Sequence, residues 1–541
     1  MDRSNITISS VAANSRAQTY EAVHKPREIE FAMFTSGARM LGGNVLEATL
    51  LMVGACGTAA IVLFAEKALL YVGLAVGAAL LLAYALSAFV SGNSQGLIPV
   101  WVLLYPLGYY FLSFPREHPI VTLDRAFVAI LGAVLVAQLL QHPQPLPKAI
   151  RYAGLCWAGF IGAALLSLRA VRGHDLLYSL RVLIDAFVLP GVLALYVIRN
   201  FNVRRYLSAL NVVVCLMSIY LAAIGLAEAV LSQDLLPIGN NTPFFAGTDV
   251  RIFRANGAFL SGSTYALVGV INFLLICFFQ RSAGPRLPNW QRGLQWIGKL
   301  ASLMVSMISM HRGIVVTWVV IGVIEFWQNR RSPMWWQRTA WKRVALLAGF
   351  LAALLTVKTK VPDIYEDRVA GPGNFYSRIA QDRQSLEVFL DHVWLGAGFQ
   401  QFTNVVSEER KYRFFFNGAS SVDYAHNTLA NVAAETGLLG VSFFTVSHLL
   451  LLAACRKLLL RGVPGRLALW ASINIFTAYW VFGMDVSSGY YSELNMWYMF
   501  AIAICIRYAY TETHASRLDL VGAKAFRNPF MRTYFIPNQA L

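Results

Sequence analysis

Apolar residues run along the chain in long blocks separated by short polar joints. A helix needs about 20 largely apolar residues to cross the hydrocarbon core of a bilayer. By that measure the pattern predicts about fourteen spans, at 46–65, 68–90, 97–114, 126–140, 152–168, 182–198, 206–230, 257–279, 294–310, 313–327, 344–357, 427–455, 467–484 and 496–508. The expected fold is all-α, a polytopic transmembrane helical bundle with one large extracytoplasmic loop. Five regions follow: a polar arm at 1–43 without strong periodicity, expected to be flexible; spans one to eleven within 44–357; a long loop at 358–425; spans twelve to fourteen within 426–509; and a basic tail at 510–541. No internal repeat or heptad pattern is evident.

Composition supports this class. The chain is 57% hydrophobic and 13% charged, whereas soluble domains carry about 25% charged residues. A net charge of +17 would suggest nucleic acid in a soluble protein, but the basic residues sit in short joints between apolar blocks. That is the pattern of topogenesis, and no nucleic-acid partner is expected. The joints "RNFNVRR", "QNRRSPMWWQRTAWKR" and "RKLLLRGVPGR" fall on one side of the alternation, as do "QRSAGPRLPNWQRG" and both termini. That side is expected to be cytoplasmic, leaving 358–425 and the smaller loop 231–256 outside. No cleavable signal stands at the start. Six cysteines lie in apolar blocks or at their ends without CxxC spacing, so neither a disulfide framework nor a zinc site is expected.

Three distant segments meet on the outer face under this topology. "RIFRANGAFLSGSTYA" carries Arg251 and Arg254, "SMHRGIVV" carries His311 and Arg312 in a tight turn, and the long loop ends at His426. An arginine at membrane depth pairs with an anion or lines a wet cavity, and its planar fork suits phosphate oxygens. A snorkelling interfacial anchor is an equal reading for Arg251. Arg254 and Arg312 run against the topogenic bias, which favours an anion-binding role more than it does for Arg251. His426 is either a helix-start residue satisfied by backbone or a proton acceptor near neutral pH. Asn427 either orients it or caps the next helix, and capping is the commoner job. Glu435 needs a partner at that depth, whether to lock helices or to serve chemistry. Gly437 and Gly440 read as close-packing positions. Within the loop, Ile379, Leu386, Phe389 and Leu390 fit an amphipathic helix resting at the interface, followed by a glycine turn at 396–398. Arg378 and Arg383 on it are within reach of a ligand or else lie on a solvated face. Asp363, Glu366 and Asp367 lack a diagnostic metal spacing.

Together "RANGAFLSGSTYA", "MHRGIVVTWVV", "SRIAQDRQSLEVFLDHVWLGAGFQQF" and "HNTLANVAAETGLLG" resemble the O-antigen ligase and polymerase superfamily of bacterial envelope glycosyltransferases. The most specific piece is the His-Asn pair followed by Glu-x-Gly-x-x-Gly after a long loop. The resemblance covers roughly 251–455. It departs from the family at His311, where serine is usual before the arginine, and in "DHVWLGAG", where a proline usually follows the histidine. It implies a GT-C-like helical fold in the bacterial inner membrane, with the active site at the periplasmic face and both termini cytoplasmic. It also implies an inverting, metal-independent glycan transfer, without cofactor, from an undecaprenyl-diphosphate-linked oligosaccharide donor to a glycan or lipid-linked acceptor. His426 would be the base; Arg254, Arg312 and Arg378 would bind the donor diphosphate; Arg251, Asn427 and Glu435 would support them. Membrane lipids and other polysaccharide-assembly proteins complete the expected partners. An exopolysaccharide or O-antigen polymerase is the favoured role. An O-antigen ligase acting on lipid A-core and a protein O-oligosaccharyltransferase are its siblings. A secondary transporter or lipid-glycan flippase is the alternative from another class, resting on Asp185 and Pro190 in the sixth span.

Overall fold

Eleven of the fourteen predicted spans coincide with α-helices in the computed structural model. It describes residues 94–108, 113–114, 121–141, 146–170, 174–231, 244–246, 250–252, 255–259, 261–283, 287–329, 373–417, 419–421, 426–457, 463–484 and 492–527. All belong to one structural unit, Gly92–Leu541. The predicted arm at 1–43 and the spans at 46–65, 68–90 and 344–357 lie outside the described residues, as do 358–372 of the loop and the end of the tail.

The helices are α1 (Leu97–Gly108), α2 (Leu123–Gln141), α3 (Lys148–Ser167), α4 (His174–Leu183), α5 (Leu189–Asn200), α6 (Val203–Leu231), α7 (Gly262–Ala283), α8 (Asn289–Ile308) and α9 (Arg312–Asn329). In the long loop come α10 (Gly373–Asp391) and α11 (Phe402–Glu408), then α12 (Thr428–Lys457), α13 (Val463–Gly483) and α14 (Ser492–Arg527). Three two-stranded antiparallel hairpins accompany them: β1 (Ser113–Phe114) with β2 (Val121–Thr122), β3 (Phe244–Ala246) with β4 (Val250–Ile252), and β5 (Phe415–Phe416) with β6 (Ala419–Ser420). By length and composition, six helical stretches among the described residues can cross a membrane: Leu123–Gln141, Lys148–Ser167, Asp175–Asn200, Val203–Leu231, Gly262–Ala283 and Thr428–Arg456. The protein is an all-α polytopic membrane protein.

α7 is the central helix, with 89% of its apolar window buried against α6, α8, α13 and α14. Lipid tails are as apolar as leucine, so burial alone does not hold such helices together; close approach and interhelical hydrogen bonds do. Both are present. A side chain at Gly269 would press on the Ser302 carbonyl of α8. The Ser218 hydroxyl accepts bonds from Ser302 Oγ (2.9 Å) and Asn272 Nδ2 (3.1 Å), and Trp497 Nε1 donates to Asn272 Oδ1 (2.9 Å).

A second group forms around α12, which packs on α3 and α13. The α3 pairing is antiparallel: Trp157 meets His448, whereas the later Phe160 meets Phe444. On α13, Cys455 meets Ser472 and the earlier His448 meets the later Tyr479, again antiparallel. The start of α12 and the ends of α3 and α13 therefore share one end of the bundle.

The sixth predicted span lies in one continuous helical stretch, Asp175–Asn200, in which a π-turn, Ile184–Val188, joins α4 to α5. Asn495 on α14 donates to its Ala186 carbonyl (2.9 Å), and Asp185 accepts a two-pronged pair from Arg125 (2.7 and 2.5 Å) with Arg181 at 3.8 Å. The carboxylate flagged as a transporter feature thus ties α2 to the turn.

Candidate functional site

The site is built on a break in α12. At Gly437 the backbone turns to φ 66°, ψ −168°, a conformation nearly confined to glycine. The break uncouples main-chain groups, and the turn 393–398 takes them up. Ala397 N–H donates to Ala434 O (2.8 Å), Gly398 N–H to Glu435 O (3.1 Å) and Leu438 N–H to Val393 O (2.6 Å). The two chains approach so closely that a side chain at Gly396 would overlap the Glu435 carbonyl, and one at Gly437 the Trp394 carbonyl. The sequence reading of Gly437 as a helix-packing position is revised: it breaks the helix to receive a loop.

Glu435 completes the clip. Its carboxylate accepts from the backbone N–H of Gln400 (2.8 Å) and of Phe402 (3.4 Å), the first residue of α11. Carboxylates suit helix starts, where N–H groups lack partners and the dipole is positive. Gln400 itself has φ 63°, a strained state for a residue with a side chain. Phe399 N–H donates to Ser167 Oγ at the end of α3 (3.0 Å). Beneath, Val388, Phe402, Val406, Tyr412 and Ala434 form a small apolar core shared by α10, α11 and α12. These two bonds lock the start of α11 to α12.

The clip holds His426 at the entry to α12. Asn427 caps that helix, its Oδ1 accepting from Leu429 N–H (3.1 Å) and Ala430 N–H (3.2 Å). Asn427 also hydrogen-bonds Asp382 of α10, joining the two helices at this point. Partial burial raises the Asp382 carboxyl above its usual range, against the Asn427 bond and the Arg378 charge, which lower it. His426 is half-buried, and burial together with the nearby Arg378 guanidinium pushes its pKa down to about 4. The imidazole is therefore neutral at pH 7, with a lone pair available to take a proton. Arg378 and His426, 48 positions apart in sequence, act on each other electrostatically.

A second cluster joins the other two segments. The turn between α8 and α9 places Met310 at φ 53°, and His311 Nε2 bonds Ser263 Oγ at the start of α7 (3.0 Å). His311 also meets Phe482 at the end of α13 (6.0 Å between rings), which puts this cluster at the same end of the bundle as the start of α12. The stretch after Arg254 is pinned by Glu228 of α6, which accepts from the N–H groups of Asn256 (3.2 Å) and Gly257 (2.9 Å). Arg312 opens α9 and Arg251 lies in β4, opposite Phe245; their side chains, and Arg254 altogether, lie outside the described residues. The His311–Ser263 pair and the Arg378–His426 pair are thus each brought together. Sequence reasoning missed Glu228, Ser263 and Asp382. Only Glu228 left a signal, a carboxylate inside an apolar block.

This arrangement defines a polytopic helical membrane protein in which a half-buried histidine at the start of α12 lies within the electrostatic reach of an arginine on α10. The family model described as O-Antigen ligase matches residues 297–445, a little over a quarter of the chain. The match includes Arg312, Arg378, His426 and Glu435 and stops short of Arg254. The family suggests a membrane glycosyltransferase of ligase or polymerase type. No curated protein matches the chain.

Proposed function

We propose that the protein transfers a glycan from an undecaprenyl-diphosphate carrier to a sugar hydroxyl at the periplasmic face of the bacterial inner membrane, as a polymerase of exopolysaccharide or O-antigen. The observation that carries this reading is the neutral His426 beside the Arg378 guanidinium. A sugar hydroxyl is a weak nucleophile. In the proposed step its proton passes to the imidazole while its oxygen bonds to the anomeric carbon. The bond from that carbon to the diphosphate oxygen breaks in the same displacement, and the diphosphate leaves with the electron pair. One displacement inverts the configuration and needs no covalent intermediate. Arg254, Arg312 and Arg378 would offset the charge gathering on the leaving group. An anion held by Arg378 would also offset the cation that depresses His426, making the imidazole a stronger base once donor is bound. Base catalysis contributes about a hundredfold to ten-thousandfold.

The test is a His426→Ala strain with normal membrane levels of the protein. Loss of long glycan is expected, and full-length glycan would remove His426 from the chemistry. The match to an O-antigen ligase family favours a second reading, transfer of a finished glycan to lipid A-core. Carrier-linked glycans in a deletion strain separate the two: single repeat units indicate a missing polymerase, and long chains left on the carrier a missing ligase.

A further inference from the structure

α10 combines ordinary apolar burial, at Ala380 and Val388, with an inversion elsewhere on the helix. Its inward face also carries Gln381, Gln384 and Ser385, which are 3%, 1% and 1% exposed. Its outward face carries Leu386 and Leu390, each 55% exposed, beside exposed Asp382 and Arg383, and Trp394 in the turn after the helix is 72% exposed. In water such a stripe is a liability, since a surface helix normally turns its apolar side to the core.

The position of Trp394 explains the inversion. Its carbonyl accepts from Leu439 N–H (3.4 Å), and its neighbour Val393 accepts from Leu438 N–H. Leu438 and Leu439 are themselves exposed, and Phe443, Val446 and Leu449 continue an exposed apolar face down α12. That helix ends in Arg456 and Lys457. From Gly437 to Arg456 it rises about 28 Å at 1.5 Å per residue, close to the ~30 Å of a hydrocarbon core. A hydrocarbon core that ends at Arg456 on one side would thus end near Gly437 on the other. Trp394, bonded to the first residues past the break, would then stand at headgroup level, where tryptophan concentrates.

We infer that Leu386, Leu390 and Trp394 form a seat that beds the loop in the outer hydrocarbon margin of the phospholipid bilayer, continuous with the lipid-facing side of α12. The surface is an interfacial lipid contact. The seat fixes the height of His426 and Arg378 above the membrane, independently of which glycan is transferred.

The test uses the full-length protein in nanodiscs of phosphatidylethanolamine and phosphatidylglycerol. The photoreactive residue benzoyl-phenylalanine replaces Leu386, Leu390 or Trp394 singly, with Leu449 as the bilayer reference and Glu408 on α11 as the aqueous one. After irradiation, intact mass should show addition of one phospholipid at all three positions, as at Leu449 and not at Glu408. In parallel, a bilayer-dissolved diazirine reagent applied to the unsubstituted protein should modify the peptide spanning 386–394 and leave 402–408 unmarked. The parallel experiment needs no substitution, so misfolding of a variant leaves the inference exposed to refutation. Absence of lipid addition at the three positions with 386–394 unmarked, yields equal to that at Glu408, or a cross-linked second copy of the chain would overturn it.

Discussion

Replacing Gly437 by alanine tests the clip directly. Alanine at φ 66°, ψ −168° would sit in a region open almost only to glycine, at a cost of about 1–3 kcal/mol. Its Cβ would also overlap the carbonyl carbon of Trp394, a main-chain atom that cannot swing aside as a side-chain tip does. Relief requires the turn 393–398 to lift off α12. That breaks the bonds from Ala397 to Ala434 (2.8 Å), Gly398 to Glu435 (3.1 Å) and Leu438 to Val393 (2.6 Å). At about 1 kcal/mol net each, those bonds hold the wild-type turn closed by roughly 3 kcal/mol, which the strain and the overlap together offset. An opening equilibrium shifted that far moves about a hundredfold towards the open form. Hydrogen exchange read by mass spectrometry should show loss of protection at amides 397, 398 and 438, while peptides from α6, α7 and α8 exchange as before. Unchanged protection at those three amides in a folded Gly437→Ala protein would refute the reasoning.

Further expectations concern the carboxylate and the titrating groups. Glu435→Ala leaves two inward N–H groups without an acceptor, a local cost of about 2–3 kcal/mol. Glu435→Gln keeps one acceptor oxygen and should recover most of the resistance of the 400–413 segment to limited proteolysis; equal sensitivity of the two variants would argue against the capping role. His426 titrates at about 4 in the folded protein and near 6.5 when unfolded, so the unfolded chain takes the proton first. Stability should therefore fall as pH drops from about 6.5 towards 4, by at most about 3 kcal/mol, and thermal unfolding of His426→Gln in detergent should lack that component. Arg378→Gln removes a charge that disfavours imidazolium, so the His426 resonance in a carbon-13 NMR titration should shift to a higher midpoint. An unchanged midpoint would mean that burial alone sets it.

The apolar blocks were enough to read the helices, because lipid demands long runs of one character. Boundaries moved: the third predicted span gives way to a strand at Ser113–Phe114, and the eighth starts at Gly262 instead of 257. Asn427 as a cap was legible because the residue type and its place before an apolar run specify the job. The glycine turn at 396–398 was legible for the same reason. The π-turn within the sixth span was not, since its contacts with Asn495 and Arg125 come from other helices. Glu435 stayed ambiguous because its partners are main-chain N–H groups, which leave no mark on a sequence. Asp382 escaped because nothing in its immediate neighbourhood distinguishes it from a solvated charge; its meaning comes from Asn427, 45 positions later.

The junction between the broken helix and its loop has one more consequence. It is stitched almost wholly from amide and carbonyl groups that every residue type supplies, with two glycines and a carboxylate as its special demands. Most other loop positions can therefore drift without disturbing the frame. Under the proposed function, a lineage could retune which saccharide it accepts while inheriting the same frame.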